Sequence, residues 1–262
     1  MIESLHSPHI ARVKALLGSR GKKERRESGS FIAEGLQFLR EALPKDSVPE
    51  IETLYLTTSG RLKIAAEGLS INHLETVDVS DAVMGAMGET VTPQGILAVC
   101  RTPLNELSQI KITTNSKFVY LHEIQDPGNA GTILRSADAT GFSGVITSPS
   151  SVDIYSPKVV RASAGSLWHI PVYERVELAE LIQLWPNESI FALSADGPES
   201  LLELVSPSPS LWIFGNEARG ISDVQPHPRI KKVHIPMPGN AESLNLAAAA
   251  AIVLFRVTSA SS

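Results

Sequence analysis

Residues 235–256 read IPMPGNAESLNLAAAAAIVLFR. The stretch opens as the end of a strand, breaks at Pro236, Pro238 and Gly239, passes a polar cluster holding Ser243 and Asn245, and closes in alanines and branched apolar residues. Alanine loses no side-chain entropy in a helix, so Leu246 to Arg256 is a strong helix former. Apolar residues on every face imply packing against protein on most sides. The loop before such a helix is held rigidly. Ser243 stands where its hydroxyl can cap the first turn, with Asn245 close behind.

Working outward, strands and helices alternate. Phe118–Glu123, Gly144–Thr147, Ser189–Ser194, Leu211–Phe214 and Lys232–Ile235 read as strands. Ala130–Thr140, Pro157–Ser166 and Leu178–Trp185 read as helices, with Ser156 as the cap of the second and Pro157 at its first position. Such alternation predicts an α/β fold with a mostly parallel sheet covered on both faces. Ligands of that architecture collect at the carboxyl ends of strands, in the loops that lead into helices. Three conspicuous stretches fall there: 126–135 (DPGNAGTILR), 213–222 (IFGNEARGIS) and 237–243.

No G-x-G-x-x-G follows the first of these strands and no G-x-x-x-x-G-K-[ST] occurs, so neither a dinucleotide fingerprint nor a P-loop is present. A nucleoside needs another cradle. Gly215, Pro236, Pro238 and Gly239 allow close backbone approach, and Ile235, Met237 and Leu244 supply apolar lining. Asn129 reads as a turn residue and Glu217 as a carboxylate bracing a glycine-rich loop. Arg135 is either a surface arginine paired with Asp138 or a clamp for a phosphate, which suits its planar fork.

Toward the amino terminus, residues 4–18 carry Ile10, Val13, Leu16 and Leu17 at helical spacing, with Pro8 near the start and Gly18 at the end. Gly18 to Gly29 is charged and punctuated by Gly and Ser, the pattern of an exposed connection. Residues 31–101 form a small α/β domain whose first strand turns through Glu34-Gly35 and whose closing strand follows Gln94-Gly95. Residues 102–116 are polar and irregular, a linker into the second domain, 117–262. The proline-punctuated segments 206–210 and 225–229 read as surface loops.

The 262 residues are 43% apolar, ample for a core. The single cysteine, Cys100, excludes an internal disulfide framework and a Cys-rich zinc site. Lying after the apolar run 95–99, it reads as a buried, inert thiol. The seven histidines show no ligand spacing, so no metal is implied. The longest apolar run, Ala247 to Phe255, is far below the roughly 20 residues of a membrane span. With no signal-peptide pattern at the start, a cytoplasmic protein is expected. The net charge of −5 is unevenly spread: residues 1–30 hold seven basic residues against three acidic, a net +4, leaving −9 for the rest. A basic amino-terminal segment on an acidic body fits phosphate contacts at one end, as it fits a solvated helix face.

Taken in order, N-x-G-x-x-x-R from Asn129 to Arg135, F-G-N-E-x-x-G-I-S from Phe214 to Ser222, and I-P-M-P-G-x-x-x-S-L-N from Ile235 to Asn245 resemble the three motifs of the SpoU (TrmH-type) RNA ribose 2′-O-methyltransferases of the SPOUT class. The resemblance implies a knotted (trefoil) catalytic domain at 117–262, in which S-adenosyl-L-methionine lies on Gly215, Asn216, Ile235, Pro236, Met237 and Leu244. Asn129, Arg135, Glu217, Ser243 and Asn245 become the catalytic set. Residues 31–101 resemble the substrate-binding (RNA) domain many members carry, itself similar to small ribosomal proteins, and 1–30 becomes a basic helical extension. RNA is the implied partner, ribosomal RNA ahead of transfer RNA, and a homodimer through the knot region is implied. Two departures are visible: the third motif commonly continues L-N-V-S, whereas here it is Leu244-Asn-Leu-Ala, one hydroxyl fewer, and the acidic overall charge argues against a broad RNA-gripping surface outside the amino-terminal end and whatever a dimer creates. The rivals are a non-catalytic RNA-binding or ribosome-assembly factor with the same fold, and a small-molecule nucleotide enzyme.

Overall fold

The computed structural model describes residues 1–262 apart from 45–46, 91, 187–188, 205–207, 223, 225 and 260–262. The proline loops expected at 206–210 and 225–229 fall partly outside the described residues. The chain divides into two compact units: Met1–Leu104 with Asp153–His169, and Asn105–Val152 with Ile170–Ser262.

The first unit runs α1 (Pro8–Leu17), α2 (Gly21–Ser28), β1 (Ser30–Glu34), α3 (Leu36–Ala42), β2 (Ile51–Leu56), α4 (Thr58–Ala66), β3 (Thr76–Asp78), α5 (Asp81–Met87) and β4 (Ile96–Arg101). Its four strands lie in the order β1-β4-β2-β3, with β4 antiparallel to both neighbours and β2–β3 parallel. Successive side chains of a strand point to opposite faces. On one face Ile32, Leu97 and Val99 meet Ile10, Val13 and Leu16 of α1 and Val83, Met84 and Met87 of α5. From β1 the neighbouring Phe31 turns the other way and meets the ring of Tyr155 at 5.0 Å and that of Trp168 at 6.1 Å. Trp168 also faces Phe38 and donates its indole N–H to Pro49 O at 2.8 Å. Residues 153–169, far away in sequence, thus help cover this side of β1.

The charged stretch 18–29, expected as an exposed connection, is instead mostly helix α2. It has no apolar period to announce it. What holds it is Arg25, only 7% exposed, whose Nε and Nη2 donate to Asp153 Oδ2 at 2.9 and 2.7 Å while Nη1 donates to Leu16 O. Gly29 ends the helix in the left-handed conformation, φ 64°.

The second unit runs β5 (Lys117–Leu121), α6 (Pro127–Ala139) and β6 (Gly144–Thr147). After α7 (Pro157–Ser163), which belongs to the first unit, it continues with β7 (Val172–Tyr173), α8 (Leu178–Leu184), β8 (Ile190–Leu193), β9 (Glu199–Ser200), β10 (Ser210–Phe214), β11 (Ile230–His234) and α9 (Leu246–Ser259). Its sheet has seven strands in the order β7-β6-β5-β10-β8-β11-β9, every adjacent pair parallel. Every residue of β5 and β10 is buried, as a sheet covered on both faces requires. Phe118, Tyr120, Leu211 and Ile213 pack with Leu181, Ile182 and Trp185 of α8 and its end. The alternate residues point away from that cluster, and there Phe191 stacks on Trp212 at 4.7 Å.

Two local expectations need correction. The helix from Pro157 stops at Ser163, because Ala164 takes φ 51° and Gly165 φ 99°, and a separate 3-10 turn follows at Ser166–Trp168. Ser156 does precede the helix, yet its hydroxyl makes no cap bond and is buried without a partner among the described residues.

Removing one member of a buried ion pair strands the other charge, at a cost of about 3 kcal/mol or more. Arg25→Ala should therefore lower the urea midpoint by that equivalent, and Arg25→Met combined with Asp153→Leu should recover most of it. An unchanged midpoint in Arg25→Ala would show that the pair does not hold α2.

Candidate functional site

Strands β10, β8 and β11 are neighbours in the sheet, and the loops leaving their carboxyl ends line one cavity of about 600 Å³. Ser194 and Asp196 enter it from β8, Asn216 to Ser222 from β10, and Ile235 and Met237 from β11. Ser243, Leu244 and Leu246 close it at the start of α9.

The loop after β10 is a tight hairpin. Asn216 and Gly220 exchange backbone hydrogen bonds of 2.8 and 2.7 Å, and Gly220 sits at φ 57°. Asn216 Oδ1 accepts the N–H groups of Ala218 and Arg219, while its Nδ2 donates to Glu123 O at 2.9 Å. A Cβ on Gly215 would stand 2.0 Å from Gly220 O, so the hairpin demands glycine there. Arg219 forms an ion pair with Glu123, tying the turn to the segment after β5.

Glu217 leaves this hairpin and accepts the backbone N–H groups of Gln125 at 3.1 Å and Asp126 at 2.9 Å, together with Asn129 Nδ2 at 3.4 Å. Asp126 caps α6 by accepting Asn129 N–H at 2.7 Å. Asn129 Oδ1 in turn accepts Asn245 Nδ2 at 3.1 Å, and Asn245 Oδ1 accepts Ala247 and Ala248 N–H at 2.9 and 3.2 Å. The amide orientations are forced. An ionised carboxylate only accepts and a backbone N–H only donates, so both asparagines have a single arrangement that satisfies the chain.

Asn129, Glu217 and Asn245 thus form one hydrogen-bonded series spanning all three motifs, beside the cavity. Of the expected cofactor residues, Asn216, Ile235, Met237 and Leu244 line the cavity; Gly215 and Pro236 do not, and Gly215 acts through the hairpin it permits. Ser243 lines it too, its hydroxyl unbonded to any described residue, and it is not the cap of α9. The helix begins at Leu246, which makes Asn245 the residue whose side chain reaches the second and third free N–H groups. Arg135 lies apart: exposed on α6, outside the cavity lining, and with no ion pair to Asp138 or to any other described residue.

Ser194, Asp196 and Lys232 lie at the cavity without belonging to any motif. The Ser194 hydroxyl bonds the Asp196 carboxylate, and Lys232 Nζ lies 3.8 Å from it. The serine hydrogen bond first, and the ammonium second, hold the Asp196 carboxyl below its ordinary pKa. Their only signal in the sequence is position: Ser194 closes the strand read at 189–194, and Asp196 follows it. Among the described residues no group of three or more His, Cys, Asp or Glu could hold a metal. Apolar walls at Ile221, Ile235, Met237 and Leu244 suit a purine nucleoside better than a free phosphate.

Residues 116–255 match the model of the SpoU rRNA methylase family, and residues 10–98 match that of the MRM3-like substrate binding domain. The chain belongs to the SpoU rRNA methylase family. It is 31% identical to the 23S rRNA (uridine(2479)-2′-O)-methyltransferase of Streptomyces viridochromogenes, over 92% of this chain and 86% of that one. It is 29% identical to the 23S rRNA (guanosine(2553)-2′-O)-methyltransferase RlmP of Bacillus subtilis, over 90% and 91%. The crystal structure of the AdoMet-bound rRNA methyltransferase from Sinorhizobium meliloti superposes with a TM-score of 0.82 at 29% identity, covering 98% of this chain and 96% of that one.

The two candidate caps of this SpoU family member are separable. Asn245→Ala removes a cap and a partner of Asn129 and should cost about 1–2 kcal/mol in thermal unfolding. Ser243→Ala should stay within about 0.5 kcal/mol. The reverse order would return the cap to Ser243.

Proposed function

We propose that this chain transfers a methyl group from S-adenosyl-L-methionine to a ribose 2′-hydroxyl of RNA, ribosomal rather than transfer RNA. The observation that carries the reading is the series Glu217–Asn129–Asn245 joining all three motifs beside a cavity of about 600 Å³. That volume, the apolar walls and the close-packed hairpin at Gly215 fit an adenosyl group. Both methyltransferase relatives named above act on 23S rRNA at a 2′-oxygen, and they match nearly the full length of the chain.

Asn216 through Ser222, Ile235, Met237 and Leu244 hold the cofactor in this reading. When bound, it supplies a methyl group made electrophilic by the adjacent sulfonium. The chain's task is then positioning the acceptor. Glu217 and Asn245 spend their hydrogen-bonding capacity inside the protein, so they fix the loops rather than handle the proton. Ser243 keeps a hydroxyl available to the sugar. Arg135 stays charged at any ordinary pH, a poor proton acceptor but a good clamp for the neighbouring phosphate and for negative charge growing on the 2′-oxygen.

Arg135 sits outside its own cavity, and a homodimer accounts for that. Helix α9 packs on α6 and exposes Ile252 at 43% and Phe255 at 67%, apolar surface on the same helix pair that carries Arg135. A second copy covers this face and receives Arg135 at its cavity. The family's trefoil knot is taken for the carboxyl-terminal strands and α9. The order β10-β8-β11, in which the chain steps over β8, is compatible with it. Among the described residues no helix is long and apolar enough to cross a membrane, and the reading locates the protein in the cytoplasm with its RNA.

Tritiated S-adenosyl-L-methionine, protein-free rRNA and tRNA test the proposal. Label is expected in rRNA as an alkali-resistant dinucleotide, since a methylated 2′-oxygen cannot attack the adjacent phosphate. RNA bound but never labelled would favour the non-catalytic rival. Arg135→Ala and Glu217→Ala should each lose about a hundredfold or more in transfer. Mixed together they should regain about a quarter of wild-type activity, because a two-fold dimer of both variants contains one intact shared site. No regain would place Arg135 and Glu217 in the same subunit's site.

A further inference from the structure

We propose that the corner formed by α1 and α2 is a preorganised phosphate-backbone surface that grips the RNA substrate away from the methylated nucleotide. The inference rests on the RNA reading above and names the part of the first unit that would take the charge. Of the seven basic side chains between residues 12 and 26, three are paired with a carboxylate of the chain: Arg12 with Glu52 and Lys23 with Glu27 at the surface, and Arg25 with Asp153 in the interior. The other four, Lys14, Arg20, Lys22 and Arg26, are exposed and have no carboxylate partner among the described residues. They stand on a chain that is otherwise net acidic. Lys22 and Arg26 are one helical turn apart, about 5–6 Å between Cβ atoms, and so share a face of α2.

The corner is rigid. The Arg25 guanidinium is buried against Asp153 and Leu16 O, which sets the rotation of α2, and Gly21 packs so closely that a Cβ there would stand 2.5 Å from Leu16 O. Cations carried on a fixed helix need no ordering when they meet a polyanion, in contrast to a disordered basic arm. The surface also lacks what a protein partner would require: no large apolar side chain is exposed between residues 8 and 28. It lies largely within residues 10–98, matched by the substrate binding domain model. Backbone contacts of this kind add affinity and orientation without reading sequence.

The test is binding of fluorescently labelled, protein-free rRNA as a function of salt, for the full chain and for K22Q/R26Q. Removing one cation from a phosphate lowers the slope of log K against log salt by about 0.7–0.9. The double variant should therefore lose about 1.5 from the slope, bind RNA about tenfold more weakly near 0.1 M salt, and raise the RNA KM similarly. Its kcat at saturating RNA, its S-adenosyl-L-methionine affinity and its Tm should not change. Slope and affinity equal to wild type, in a protein that methylates RNA, would overturn the proposal and leave the function standing. A wild type that binds RNA with the expected slope difference but transfers no methyl group would uphold this surface and overturn the catalytic reading. A wild type that binds no RNA would overturn both.

Discussion

A carboxylate can only accept hydrogen bonds, and the site is arranged around one that does so from three directions. Glu217 leaves a hairpin that closes because Gly215 has no side chain, and it meets two backbone N–H groups and one amide of the segment after β5. Asn129 passes that constraint to Asn245, which turns it into the cap of α9. Three loops remote in sequence are thereby coupled, and the cavity beside them inherits its shape from that coupling. The backbone N–H groups of Gln125 and Asp126, at 3.1 and 2.9 Å, are the carboxylate's close partners, and its 3.4 Å bond to Asn129 carries the series onward to α9.

The first unit depends on a different kind of closure. Its sheet carries apolar side chains on both sides: α1 and α5 cover one, and Tyr155 and Trp168 meet Phe31 on the other. Asp153, at the start of the same returning segment, anchors Arg25 and with it α2. One stretch of chain between β6 and β7 thus contributes both to the aromatic packing of β1 and to the rigidity of the basic corner.

Much of the catalytic architecture is legible in the sequence because its signals are local. Continuous apolar strands, glycine and proline at strand ends, and an alanine-rich helix announce a parallel sheet and the loops where a ligand lies. Edge strands β7 and β9, two residues each, are too short to leave a pattern. Helix α2 escapes a reading by periodicity because every signal it carries is polar, and its stabilising partner lies 128 residues away. The choice of Asn245 over Ser243 as cap turns on the helix starting at Leu246, two residues beyond where a Ser243 cap would start it. Gly215 and Arg135 show the other limit. A motif names a residue type, and only the fold tells whether it touches the cavity, permits a turn, or faces outward. Ser194 and Asp196 are silent in the sequence for the converse reason: they belong to no motif and owe their place at the cavity to the strand before them.

The central claim is that the Glu217 carboxylate holds three loops in the shape that binds S-adenosyl-L-methionine. Calorimetric titration of the cofactor into Glu217→Gln tests it most directly, because the substitution keeps the size while removing the charge and replacing one accepting oxygen with an amide that donates. The account predicts an affinity at least about tenfold weaker, equivalent to the loss of about one charge-assisted hydrogen bond. Wild-type affinity in that variant would contradict it.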